Sequence, residues 1–184
     1  MRHPLAAVPA GRRRLAFVSL LVLTLFLMLG VMAQVDVPLR TAASPAGIVS
    51  FELAGDTASA QRMIDAWDER ARRYAAFSLG IDYLFMVAYS TTIAFGCLWA
   101  GGVLGALSPG LAAAGAPLAW GSWLAALLDA GENAALARML LGTVRAPWPA
   151  VAWWCATSKF TLLVAALLYV LAAALVRLGR RPAP

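Results

Sequence analysis

The chain has 184 residues, of which 62% are hydrophobic and only 13% charged, with a formal net charge of +6 and a mean hydropathy of +0.76. Soluble domains carry about 45 to 50% apolar and about 25% charged residues, and a domain of this size has too little interior to hide the excess. Lipid can hide it, so the composition excludes an ordinary soluble globule. The basic balance does not point to nucleic acid, which is not an expected partner, because the arginines flank apolar stretches and do not build a face.

Residues 1–14 are a basic tail with Arg2, Arg12, Arg13 and Arg14. Residues 15–33 follow without a charge and are expected to form the first span, about 28 Å at roughly 1.5 Å per residue against a hydrocarbon core of about 30 Å. A cleavable signal peptide is the competing reading, since the arginines make a basic flank and Val31-Met32-Ala33 ends in a small residue. Residues 34–74 are expected outside the membrane. Within them Ile48 to Leu53 leans apolar and reads as a short strand or an interfacial stretch, and residues 57–74 read as an amphipathic helix. Its apolar positions Ala60, Met63, Ile64, Trp67, Ala71 and Tyr74 recur at spacings of three and four. Asp56 is the expected N-cap, and Asp68 with Arg72 and Glu69 with Arg73 are expected i, i+4 pairs.

The second span is expected over residues 75–100. Residues 101–117 then form a hairpin around Ser108-Pro109-Gly110, and the third span covers 118–141. Residues 142–149, with Arg145, Pro147, Trp148 and Pro149, form an outer turn, 150–176 the fourth span, and 177–184 a second basic tail. The two ends carry seven arginines and no acid, whereas residues 35–74 carry five Arg against six acids. By the positive-inside rule both termini should be cytoplasmic. The expected architecture is an all-α four-transmembrane-helix bundle in the cell inner membrane with one extracytoplasmic amphipathic helix. Trp120, Trp123, Trp148, Trp153 and Trp154 fall near span ends, as in an aromatic belt.

The polar residues inside the spans are not scattered. Ser78, Asp82, Tyr89, Thr92 and Gly96 share one face of the second span; Ser122, Ala125, Asp129, Glu132 and Asn133 share one of the third; the fourth offers Cys155, Lys159 and Tyr169. In an antiparallel bundle Asp82, Glu132 and Lys159 lie roughly 10 to 15 Å below the outer ends and can meet at one level. Asp82, Asp129 and Glu132 then face one intramembrane base, Lys159. One acid is expected to pair with it, Arg138 can reach a second, and one carboxylate is left to remain neutral or to hold a cation. Buried ionisable groups in hydrocarbon cost several kcal/mol each, so the candidate ligand or ion site is Asp82, Asp129, Glu132, Asn133 and Lys159, with Tyr83 and Tyr89 beside them. The small ridge Ala126, Ala130 and Ala134 is expected to allow close helix packing.

Several chemistries are set aside. The one histidine, His3, lies in the tail, so a histidine-ligated haem or zinc site and a Ser-His-Asp triad are excluded, and Gly101-Gly102 lacks nucleotide-binding context. Cys97 and Cys155 lack metal or redox spacing and read as small buried residues. No metal and no cofactor are expected, and no catalytic residue is identifiable. The spacing Asp-x-x-Glu-Asn is too short to identify a family. The favoured expectation is a non-enzymatic membrane subunit, a binding or scaffold protein whose cluster organises the bundle and receives a ligand. Its partners are the bilayer and either a membrane protein or a second copy. The alternatives are a proton- or cation-coupled carrier and an enzyme acting on a lipid-like substrate. A carrier needs a water path from both sides, an enzyme a lateral or outer cavity with a base facing it, and a scaffold neither.

Overall fold

The computed structural model describes residues 2–180; Met1 and the end of the C-terminal tail, including Arg181, lie outside the described residues. These are 84% helical with no strand. Four helices are long and apolar enough to cross a membrane: α1 (Ala10–Leu39), α4 (Glu69–Leu104), α5 (Pro109–Leu141) and α6 (Trp148–Gly179). Two short helices, α2 (Ile48–Glu52) and α3 (Thr57–Ala66), cap one end of the bundle.

Helix α4 is the central element, packed against α5, α6 and α1, whereas α1 leans on α4 and scarcely touches α6. The outward faces of α1 and α6 expose Leu15, Val22, Leu29, Leu167, Leu171 and Leu175. An apolar shell of this kind suits contact with acyl chains. Middle turns of α1 widen to π geometry over Phe26–Met32, and Thr24 Oγ1 meets Thr92 Oγ1 at 3.4 Å to tie α1 to α4.

The helices run past the expected boundaries because their capping residues lie farther out than the apolar runs. The segment expected as a hairpin over 101–117 is mostly helix: α4 continues to Leu104, Ser108 caps α5 by accepting from Gly110 N at 3.3 Å, and Pro109 occupies the first turn, where its missing N–H costs nothing. Pro117 lies inside α5. Helices α4 and α5 make a close contact at glycines that the expected alanine ridge does not include. A Cβ on Gly115 would stand 2.8 Å from the Cys97 carbonyl oxygen and 3.2 Å from Gly101 Cα. Glycines set this contact, while Ala134 of the expected alanine ridge is exposed.

The amphipathic helix expected over 57–74 is two helices. Asp56 caps α3 through Ser59 N at 2.8 Å, and Asp68 caps α4 through Ala71 N at 2.7 Å. Between them Trp67 turns extended and drives its ring into the cap core. Glu69 pairs with Arg73 as expected. The Asp68–Arg72 pair does not form: the Asp68 carboxylate is spent on the cap, and Arg72 donates to the Ile64 and Trp67 carbonyls at 2.9 and 3.1 Å, satisfying the end of α3.

The cap is held by few residues. Trp67 Nε1 donates to Leu39 O at 2.9 Å and Ser44 Oγ at 3.1 Å, and Phe51 stacks edge-on against the Trp67 ring at 5.3 Å. Asp36 accepts from Ile48 N at 2.8 Å and Arg40 Nε at 2.9 Å. Gly47 stands at φ 59°, and a Cβ there would lie 2.0 Å from the Asp36 carboxylate. This lock fixes the orientation of α2, and the stretch at 48–53, readable as strand or interface, is thereby a helical turn.

At the opposite end the N-terminal tail is docked. A 3₁₀ turn at Pro4–Ala7 places His3, 2% exposed, between the rings of Trp120 and Trp123, at 4.8 and 4.5 Å. Burial holds its pKa below the ordinary value. Trp120 and Trp123 thus have a packing partner besides any interface.

Candidate functional site

Four helices bring five ionisable side chains together beneath the cap. Lys159 on α6 is the hub: Nζ donates to Asp129 Oδ1 at 2.6 Å and to Glu132 Oε1 at 3.0 Å, both on α5. The three-residue spacing of Asp129 and Glu132 puts both carboxylates on one face, so one ammonium reaches both. Glu132 Oε2 lies 2.9 Å from the same nitrogen without an aligned hydrogen bond. Tyr89 on α4 donates from its hydroxyl to Asp129 Oδ2 at 2.9 Å. Asn133, next to Glu132, donates to Asp82 Oδ2 at 2.7 Å and toward Leu79 O at 3.4 Å. Glu132 is fully buried, and Asp82, Asp129, Asn133 and Lys159 nearly so.

Three expectations need correction. Tyr83 is not part of the cluster: one position from Asp82, it faces outward, 48% exposed, with its hydroxyl 3.5 Å from Ala130 O. Arg138 reaches no acid among the described residues, because its guanidinium stacks 4.8 Å from the Trp148 ring centroid at the helix end. Lys159 pairs with two of the three expected acids rather than one, Asp129 and Glu132, while Asp82 is bound by the Asn133 amide and forms no ion pair with it among the described residues.

The residue missed from sequence is Glu52. The cap turns α2 so that Phe51 enters the Trp67 core while Glu52 descends onto the cluster, with Oε2 3.6 Å from Lys159 Nζ. That oxygen is buried and has no hydrogen-bond partner. Burial pushes the Glu52 carboxyl above its ordinary range; Asp129 adds to the shift, while Lys159 and the neighbouring Glu132 carboxyl oppose it. The available signal was one acid between Phe51 and Leu53 in an apolar stretch. Its destination depended on the Asp36–Gly47 lock, which no local pattern announces.

The cluster forms the polar end of an elongated cavity of about 740 Å³ between α1 and α6, floored by α4. Glu52, Asp82, Tyr89, Asp129 and Lys159 line one end. The rest is mainly apolar, with Leu21 and Met28 of α1, Ile93 and Gly96 of α4, and Leu163, Leu167 and Val170 of α6, interrupted by Thr24 and Thr92. From Asp82 to Gly96 along α4 the cavity, polar end included, is about 21 Å long at roughly 1.5 Å per residue. The cavity thus pairs a hydrogen-bonding end, where Glu52, Asp82 and Asp129 stand with Lys159, with a mainly hydrocarbon-lined arm. Among the described residues no group of three His, Cys, Asp or Glu side chains is arranged to hold a metal ion, and Lys159 occupies the centre of the carboxylates. Comparison with protein-family models, with curated proteins and with solved structures finds no match to this chain.

Proposed function

We propose that this chain is a non-enzymatic binding protein of the cell inner membrane that holds an amphiphile in the cavity beside α1. The polar head would sit against Glu52, Asp82 and Asp129, and the hydrocarbon part along the arm. In this reading both termini are cytoplasmic, the cap formed by α2 and α3 lies outside, and the bilayer is the immediate partner. The observation that carries it is the shape and chemistry of the 740 Å³ cavity, acidic at one end and mainly apolar along the remainder. Ligand sites of this size are mostly apolar with a few placed polar groups, which is the division seen here. Among the described residues Asp82 has no cationic partner in an ion pair, so the favoured head group carries a positive charge or donates hydrogen bonds.

The test is native mass spectrometry of the protein released from detergent micelles, with dodecylamine as the added probe. Wild type should retain an amphiphilic adduct or bind dodecylamine. Asp82→Asn should weaken retention about ten-fold or more, the worth of one charge-assisted hydrogen bond. Leu163→Trp, which fills the apolar arm, should abolish it. Wild type that carries no adduct and binds dodecylamine no better than Leu163→Trp overturns the proposal.

One observation supports the enzymatic alternative: Tyr89, Asp129 and Lys159 form a hydrogen-bonded chain in the cavity wall, an arrangement able to pass a proton to a bound head group. Chemical change of the retained amphiphile, lost in Tyr89→Phe without loss of binding, would select that reading.

A further inference from the structure

The end of the bundle opposite the cap carries a second site of reversed charge. Two hollows of about 520 and 430 Å³ adjoin there, between the start of α1, the inner half of α4 and the end of α6, and share Arg13 and Trp99. Arg14 lines the first and Arg177 and Arg180 the second. Arginines from the two ends of the chain thus converge on one indole. All nine acids of the chain fall between Asp36 and Glu132, and none lines either hollow. Phe17, Phe95 and Val170 complete the apolar wall.

Arg14, Arg177 and Arg180 are exposed, but Arg13 is anchored. Arg13 is held by two hydrogen bonds of 2.9 Å from its guanidinium to the Ala6 and Val8 carbonyls. Its Nε is buried without an acceptor among the described residues. The docked tail therefore fixes one guanidinium at the mouth of an apolar groove and leaves a donor unused. Arg14, Arg177 and Arg180 make no side-chain ion pair among the described residues.

We propose that this groove binds an acidic phospholipid, its phosphodiester among Arg13, Arg14, Arg177 and Arg180 and its acyl chains along Trp99, Phe17 and Val170. Charge complementarity selects the head group, since four cations without a counter-charge among the described residues meet an anion at the interface. The apolar wall selects a lipid over a free anion, because phosphate alone would leave that wall uncovered. The inference rests on the membrane placement proposed above and not on the amphiphile held at the acidic end.

The experiment uses the whole chain in vesicles of phosphatidylcholine containing brominated phosphatidylglycerol, or brominated phosphatidylcholine at the same fraction. Quenching of Trp99 is obtained as the difference from Trp99→Phe. Wild type should select the acidic lipid, and Arg177→Gln with Arg180→Gln should lower the selection about five-fold for each arginine removed. Arg14→Gln, on an exposed side chain, is the single-site check should the double variant fail to fold, and should lower it about five-fold. Asp82→Asn should leave the selection intact, so loss of the acidic-end ligand is read separately. Equal quenching by the two lipids overturns the proposal. So does loss of the preference in inorganic phosphate but not in chloride of equal ionic strength, which would mark a site for a free anion.

Discussion

Replacing Glu52 by Gln tests the electrostatics of the cluster more directly than any other change. The carboxyl is buried, 3.6 Å from Lys159 Nζ, with one oxygen unpartnered, and its pKa is raised above the ordinary 4.5 chiefly by burial. Because the folded state favours the protonated form, wild type has the full benefit below pH 4.5 and loses stability as pH rises, until the folded carboxyl itself ionises. Over that window the loss is about 1.4 kcal/mol per pH unit. A glutamine keeps the volume and stays uncharged at every pH. The two proteins should therefore melt alike near pH 4.5 and separate above it, with Glu52→Gln the more stable. For a chain of this length each kcal/mol moves the melting temperature by roughly 2 to 4 °C, giving an expected divergence of about 3 to 6 °C per pH unit. The assay is tryptophan-detected thermal unfolding in one detergent across the pH series. Parallel curves, or a glutamine variant less stable at every pH, would show that Glu52 is an ionised partner of Lys159 and refute the reasoning.

The other predictions follow from single contacts. Lys159→Met removes the ammonium shared by Asp129, Glu132 and Glu52 and should destabilise by about 3 to 5 kcal/mol; adding Glu132→Gln should restore part of that, and a double variant as unstable as the single one would count against a shared charge. Gly115→Ala places a methyl 2.8 Å from the Cys97 carbonyl; despite a helix-propensity gain of up to about 1 kcal/mol, it should destabilise by about 1 to 3 kcal/mol in thermal melts, and an unchanged or raised melting temperature would show that α4 and α5 separate freely. Reporter fusions after Arg181 and within residues 57–73 should score inside and outside respectively. An external C-terminus would sink the topology, and a mature N-terminus at Gln34 would establish the signal-peptide alternative.

What could be read in advance was whatever periodicity and charge encode locally. The inward face of α4, from Ser78 through Gly96, was legible because a helix repeats its face every three to four residues, and those side chains line the cavity. The meeting of Lys159 with Asp129 and Glu132 was legible because an ammonium buried with acids at the same depth has no cheaper partner. Glu52 was not, since its approach depends on contacts among Asp36, Gly47, Leu39 and Trp67 that are distant along the chain. Tyr83 and Arg138 failed for a different reason. Each lies close in sequence to a cluster residue, but rotation by one position on a helix is about 100°, and closeness along the chain is not closeness in space.

Glu52 also links the cap to the cavity energetically. The cap core around Trp67 and Phe51 is a packing unit that would remain stable with any polar residue at position 52 facing solvent. The Asp36–Gly47 lock instead holds α2 where its carboxylate enters a cluster already holding Asp129 and Glu132 against one lysine. A bundle built for stability alone gains nothing from a third acid there, because burying it unpaired costs free energy that its 3.6 Å approach to Lys159 only partly offsets. A cavity head-binding site does gain. A cationic or hydrogen-bond-donating head arriving beside Asp82 and Glu52 would satisfy the orphaned oxygen and favour the ionised carboxyl, so ligand binding and proton release at Glu52 would be coupled. Because Glu52 is carried by the cap, the same event would tighten α2 against α6, transmitting occupancy of the cavity to the cap through one carboxylate.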